Sequence, residues 1–252
     1  MTAADIAILF VAAAGAGAVN AIAGGGTLIS FPALLALGVP PIAANVTNAI
    51  ALCPGYFGAT LAQRGQLSGQ RRRLWAFLPA AVIGGLSGAA ILLHTHERVF
   101  QALVPYMLLA ASLLLAIQDV VKRFAVRRAA QDHHASVAWA ALAVFGAAVY
   151  GGFFSAGMSV IVLAVLALTV DDTFTRLNAL KQITAFSVNV AATVFFLFSD
   201  QVVWSAAAVM AAGALLGGAL GGCIAGRLHP TALRWGVVCV GVGLAIYYWV
   251  ER

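Results

Sequence analysis

Long apolar runs, parted by short polar or glycine-rich stretches, fill the whole chain. Ten such segments can be read, at 3–23, 27–37, 41–63, 74–93, 99–119, 136–154, 157–168, 173–198, 202–225 and 231–250. Most reach the ~20 residues a helix needs to cross ~30 Å of hydrocarbon. The second and seventh are only about eleven or twelve residues long and are too short to span. They occupy matching places in the two halves of the chain. Short, glycine-interrupted segments at corresponding positions are the sequence mark of a membrane binding site. The pattern predicts an all-α polytopic membrane protein of 8–10 helices, made of two inverted repeats of about five segments each. Each repeat contains one short broken or re-entrant segment. The boundaries are 1–121 for the first repeat, 122–135 for a basic cytoplasmic linker and 136–252 for the second repeat.

Two stretches organise these halves. The first reads Gly24-Gly25-Gly26-Thr27, an apolar run, Gly38-Val39-Pro40-Pro41, then Asn45-Val46-Thr47-Asn48-Ala49. The second reads Gly151-Gly152-Phe153-Phe154-Ser155-Ala156-Gly157, an apolar run, Asp171-Asp172, then Asn178-Ala179-Leu180-Lys181. Asn48-Ala49 and Asn178-Ala179 lie 130 positions apart. Glycines and paired prolines break a helix and free backbone groups, which lipid tolerates only where protein or a polar cavity satisfies them. The repeat continues in Gly84, Gly85, Gly88 and Ile91, which match Gly217, Gly218, Gly221 and Ile224 at an offset of 133. Gly213, Gly217 and Gly221 read as a small-residue packing face.

Charge fixes the expected orientation. With an odd number of segments per half, Arg64, Arg71, Arg72 and Arg73 share a face with Lys122, Arg123, Arg127 and Arg128. Arg176, Lys181, Arg227 and Arg234 join them, which leaves only Arg98 and Arg252 of the fourteen cations on the other face. The positive-inside rule makes the populated face cytoplasmic and both termini external. Composition agrees, since 63% of residues are hydrophobic and 9% charged, against roughly 25% charged in soluble domains. The net charge of +6 therefore follows a membrane rule and implies no nucleic acid. No signal peptide is evident, so the first run is expected to stay as a helix.

Chemistry in the interior is restricted. His94, His96, His133, His134 and His229 all fall in expected loops, as do most carboxylates. Gly157-Met158-Ser159 has no intramembrane histidine to activate its serine, so catalysis is disfavoured. Asp132-His133-His134 offers too few ligands for a metal site and reads as part of a solvated loop. Cys53, Cys223 and Cys239 have no metal-binding spacing, and no nucleotide-binding loop is visible. No cofactor or metal is called for. What remains inside is Asn20, Asn45, Thr47, Asn48, Asn178, Gln182, Asn189, the glycine backbone and Lys181. Amide and backbone N–H donors, helix N-termini and one ammonium suit a small oxyanion.

At Gly24-Gly25-Gly26, Pro32, Gly38, Pro40 and Thr47-Asn48, and again at Gly151-Gly152, Gly157, Asn178-Ala179-Leu180-Lys181 and Asn189, the sequence resembles the TauE/SafE family of sulfite exporter-like permeases. The resemblance covers nearly the whole chain. It implies a bacterial-type inner-membrane permease built from inverted repeats, moving sulfite, sulfoacetate or another organosulfonate. The implied substrate-binding residues are Gly24, Gly25, Gly26, Thr47, Asn48, Ser155, Gly157, Asn178, Lys181 and Asn189. One departure is Ser155-Ala156-Gly157 where the first half has three glycines, which makes the half-sites chemically unequal. The expected partners are the oxyanion and the lipid bilayer, with homo-oligomerisation left open. The competing reading is a membrane assembly or scaffold protein with no translocation path. A polar cavity shared by Asn48 and Asn178 would separate the two.

Overall fold

The computed structural model describes residues 1–22, 25–128, 136–224 and 230–250. Its helices are α1 (Ala3–Ile22), α2 (Thr27–Ala36), α3 (Pro41–Ala62), α4 (Arg71–His94), α5 (Glu97–Ala116), α6 (Gln118–Arg128), α7 (Val137–Phe153), α8 (Met158–Thr169), α9 (Phe174–Phe196), α10 (Trp204–Ile224) and α11 (Pro230–Val250). A short 3-10 turn, Arg64–Leu67, follows α3. There is no strand among the described residues.

Five helices are both long and apolar enough to cross a membrane, namely α1, α4, α5, α9 and α11. Helix α3 has 22 residues, which span ~33 Å at 1.5 Å per residue, but Asn45, Thr47 and Asn48 dilute its hydropathy. Helices α2 and α8 have 10 and 12 residues. The chain is thus an all-α, multi-pass membrane protein with one short broken segment in each half.

The packing exchanges the two halves. Helix α1 lies along α10 as α7 lies along α4, and α4 packs on α9 as α10 packs on α3. Helices α3 and α9 meet, as do α5 and α11. The pattern is what a pseudo-two-fold axis between α3 and α9 produces. Its closest approaches are made by glycine. A Cβ on Gly217 would collide with the carbonyl oxygen of Ala14, and one on Gly84 would come within 2.7 Å of the carbonyl oxygen of Phe145. Ala14 and Phe145 are 131 positions apart and Gly84 and Gly217 are 133 apart, so these are the same contact made twice. The small-residue face is therefore packing, at least at Gly213 and Gly217.

The first part of the expected linker is helical, in α6. The fifth segment stops at Ala116, Ile117 ends it, and a new helix runs from Gln118 to Arg128 against α8 and α9. Its first turn is held by Asp119, which pairs with Arg234 of α11 and lies near Lys122 at 4.0 Å. The hydrogen bond from Arg234 holds the Asp119 carboxyl below its usual pKa. The sequence hid this helix because its apolar positions are few and its charges suggested solvent. Asp132, His133 and His134 lie outside the described residues.

Candidate functional site

Two helix breaks form the centre of the molecule. In the first half α1 stops at Ile22 and α2 begins at Thr27. Gly25 takes the left-handed conformation at φ 88, which a side chain rarely tolerates. The Gly26 N–H donates to Asn20 Oδ1 at 2.8 Å, so Asn20 ties the broken backbone to its own helix. A Cβ on Gly26 would strike the carbonyl oxygen of Ala16. Gly24 lies outside the described residues. In the second half α7 stops at Phe153, and Gly157 at φ 78 begins α8. The Tyr150 hydroxyl donates to the Ala156 carbonyl at 2.7 Å, a bond across the break that parallels the one made by Asn20.

The breaks converge. A Cβ on Gly25 would crowd Leu115 at 2.8 Å, and one on Gly157 would touch Ala111 and Leu114 at 3.3 Å. Those three residues form little more than one turn of α5. Phe31 of α2 and Phe154 of the second break meet edge to face, with centroids 5.4 Å apart. The N-termini of α2 and α8 therefore reach the same level of the bundle, each carrying about half a positive charge, with the N–H groups of Leu28, Ile29, Met158 and Val160 closed onto the carbonyls of the preceding turn.

Helix α3 lays its amides beside this junction. Asn45 Nδ2 donates to the carbonyl of Phe153, the last residue of α7, at 2.8 Å. One turn on, the carbonyl of Ala49 accepts from Asn189 Nδ2 of α9 at 3.3 Å. Asn48 lies between these two anchors and is fully buried. Thr47 turns the other way and accepts the Val203 N–H at 3.0 Å. Among the described residues, Asn45 Oδ1, both amide atoms of Asn48, Ser155 Oγ and Asn189 Oδ1 are buried with no protein partner. Each such atom costs ~1–3 kcal/mol if nothing satisfies it. The nitrogens of Asn45 and Asn189 are committed to carbonyls, so the atoms these residues still offer are acceptors. Among the buried amides here, the free donor is Asn48 Nδ2.

Asn178 and Lys181 stand elsewhere. Asn178 is half-buried and donates from Nδ2 to Gln63 Oε1 at 2.7 Å. Helices α3 and α9 run antiparallel, joined by Ala49–Asn189 towards one end and Gln63–Asn178 at the other. Gln63 lies fourteen positions after Ala49, about 21 Å along the axis at the helical rise. The structure thus brings Asn48 and Asn189 together and keeps Asn178 apart from both. Lys181 is also half-buried.

The Asn178 end is tied by charge. Asp172 pairs with Arg73 of α4 and with Arg176 at 2.9 Å. Arg73 also donates to the Asp171 carbonyl at 3.1 Å, and Gln70 donates to that of Arg176 at 3.4 Å. Burial opposes the Asp172 charge, but hydrogen bonds from Arg176, Arg73 and the Thr173 N–H outweigh it and lower its pKa. At the opposite end Glu97 accepts the Ile42 N–H at 3.0 Å. There a cavity of about 470 Å³ is lined by Pro40, Pro41, Arg98, Gln101 and Tyr248. Sequence reading missed Gln63, Glu97 and this cavity, because each depends on partners far away along the chain.

Residues 9–248 match the family model described as sulfite exporter TauE/SafE. A probable membrane transporter protein of Haemophilus influenzae is 28% identical over 235 residues, covering 91% of this chain and 88% of its own. The probable membrane transporter protein ORF9 of Sinorhizobium sp is 28% identical over 246 residues, covering 96% and 91%. The probable membrane transporter protein YfcA of Escherichia coli K12 is 27% identical over 219 residues, covering 86% and 79%. No solved structure matches the chain.

Proposed function

Because the chain belongs to the sulfite exporter TauE/SafE family, we propose that this membrane transporter carries a small sulfur-containing anion, sulfite or an organosulfonate, by secondary transport. The observation that supports this reading most is the meeting of the α2 and α8 N-termini against one turn of α5. Two such ends favour an anion without a buried counter-ion through their partial positive charges, although the N–H groups of Gly26, Leu28, Ile29, Met158 and Val160 already have oxygen partners. Gly25, Gly26 and Gly157 let the backbone approach closely, and Asn48 Nδ2 adds a side-chain donor. Asn178 and Asn189 contribute less directly, since their nitrogens already serve Gln63 Oε1 and the Ala49 carbonyl. Lys181 supplies a full positive charge on the approach from the Arg73 end.

The positive-inside rule supports a cytoplasmic Arg73 end and external termini in a bacterial-type inner membrane. Substrate arriving from the cytoplasm then meets the Asp172 ion-pair cluster, and the Arg98 cavity opens on the external side. Uptake into proteoliposomes, with a panel of sulfite, organosulfonates and carboxylates, tests this reading. Accumulation of sulfur anions over carboxylates is the expected result. No accumulation of any panel member above empty liposomes would sink the substrate class and favour the scaffold reading.

A further inference from the structure

Most of the buried, unpartnered side-chain atoms beside the breaks are amide oxygens, which are acceptors. The amide nitrogens of Asn45 and Asn189 are spent on the carbonyls of Phe153 and Ala49. Their oxygens, Asn45 Oδ1 and Asn189 Oδ1, are buried and unpartnered, as are Asn48 Oδ1 and Ser155 Oγ. These residues are 2%, 3%, 0% and 8% exposed, so bulk water does not reach them. Hydrogen bonds tie the residues around them to one turn of α3. Asn45 and Ala49 are anchored to α7 and α9, Asn48 sits between them, and Ser155 follows Phe153 by two residues. The same place receives the C-terminal end of α7, whose carbonyls carry partial negative charge. The three amide oxygens and the helix C-terminus disfavour an oxyanion there, while the Ser155 hydroxyl can turn its lone pairs to a cation. A cation is attracted.

We propose that Asn45, Asn48, Ser155 and Asn189 form a site for a small monovalent metal cation, Na⁺, which couples to anion transport. The ligand chemistry selects the charge. Hard cations take oxygen ligands, and a divalent ion needs carboxylates to balance it. None of these four residues is charged, and no group of three or more His, Cys, Asp or Glu among the described residues is placed to hold a metal. Neutral amide, hydroxyl and carbonyl oxygens at a broken helix are the surroundings in which a membrane transporter holds Na⁺. The arrangement also explains the coupling. Asn48 can offer Oδ1 to the cation and Nδ2 to the anion at the helix N-termini, so each ion improves the site of the other. By linkage the effect is reciprocal. The absence of a buried carboxylate beside the breaks, awkward for a proton-driven carrier, is then no obstacle.

This inference rests on the transport reading but fails separately from it. Purified full-length protein is melted in detergent with NaCl replaced by choline chloride at constant ionic strength. Expected is a saturable rise in Tm with Na⁺, and proteoliposome uptake of sulfite that needs an inward Na⁺ gradient at fixed pH. Ser155→Ala removes one ligand and adds no bulk, so the half-saturating Na⁺ concentration should rise roughly tenfold or more, the scale of losing one site contact. Its Tm without Na⁺ should not fall, because it removes a buried unpartnered hydroxyl. Thr184→Val is the control. Thr184 Oγ1 is also buried and unpartnered, but its place on α9 is turned away from the face that carries Asn189. Its Na⁺ response should match the wild type. Sulfite uptake and Tm that ignore Na⁺ would overturn the cation site and leave anion transport standing. Ser155→Ala with the wild-type Na⁺ response would overturn it as well. Na⁺ stabilisation without uptake of any sulfur anion would keep the cation site and remove the proposed substrate.

Discussion

Gly217→Ala and Gly15→Ala are chemically the same change and should have opposite effects. In α10 the new Cβ of Gly217→Ala would run into the backbone of Ala14, whose carbonyl oxygen, carbonyl carbon and Cα all lie in its way. No flexible side chain is available to give, so α1 and α10 must separate. Overpacking of this kind costs ~1–3 kcal/mol. In α1 a Cβ on Gly15 would meet nothing within 4 Å. Replacing an interior helical glycine with alanine then gains up to ~1 kcal/mol from backbone propensity. The first change carries the same propensity gain, so its net cost is about 0–2 kcal/mol. Gly84→Ala should behave like Gly217→Ala, because its Cβ would meet Ala148 Cβ and the Phe145 carbonyl oxygen at the equivalent crossing.

The assay is thermal unfolding of purified protein in one detergent, with monodispersity recorded for each variant. A ~1 kcal/mol change moves Tm by about 2–4 °C for a chain of this size. The order should be Gly15→Ala, wild type, then Gly217→Ala and Gly84→Ala together. The pairing matters more than the size. If Gly217→Ala is stabilised like Gly15→Ala, the α1–α10 approach is not as close as described. If Gly84→Ala and Gly217→Ala diverge in sign, the two crossings are not equivalent and the pseudo-two-fold packing fails.

Asp172→Asn should lower stability at pH 7 by about 1–2 kcal/mol, between the exposed and buried ion-pair limits, since Asp172 is 13% exposed and its arginines 29% and 32%. Its folded pKa is depressed, so this stabilisation is present above the unfolded value near 3.9 and lost as pH falls through the folded value. The gap between variant and wild type should therefore close below about pH 4, and a gap unchanged from pH 7 to pH 3 would contradict the assignment. Lys181→Gln should weaken sulfite binding by ~10-fold or more, the scale of a charged hydrogen bond, in a binding isotherm on purified protein. Wild-type affinity would remove Lys181 from the anion's path. In a background with Cys53, Cys223 and Cys239 replaced, Arg72→Cys should label only from the cytoplasmic side and Asp200→Cys only from outside. Labelling of both from one face would defeat the inverted arrangement.

Much of this architecture was legible because lipid leaves few choices. The length of each apolar run gave the helices nearly to the residue, and glycines in register at Gly84 and Gly217 marked the repeated crossing. Helix α6 was not legible, because its stability comes from packing on α8 and α9 and from the Asp119–Arg234 pair, neither of which leaves a local pattern. The meaning of the repeated Asn-Ala pair was also out of reach. Repetition establishes that Asn48 and Asn178 are equivalent, but an inverted repeat carries equivalent residues to opposite sides of its axis. They meet only if they lie at the level of the axis itself. Both stand near the start of their helices, and α3 and α9 are antiparallel, so equivalence sends them towards opposite ends. The residue that joins Asn48's turn of α3 is instead Asn189, which has no counterpart in the repeated motif. The glycine breaks do lie at a common level, against Ala111, Leu114 and Leu115 of α5, and there the halves combine. Their inequality then acquires a purpose. The break at Gly25 and Gly26 is bare backbone, while the break at Ser155 and Gly157 adds a hydroxyl and follows the Phe153 carbonyl that accepts from Asn45 Nδ2. A symmetric pair of breaks would offer two copies of one cradle, whereas on the reading proposed above this unequal pair would serve an anion at the helix N-termini and a cation at the acceptor oxygens beside them.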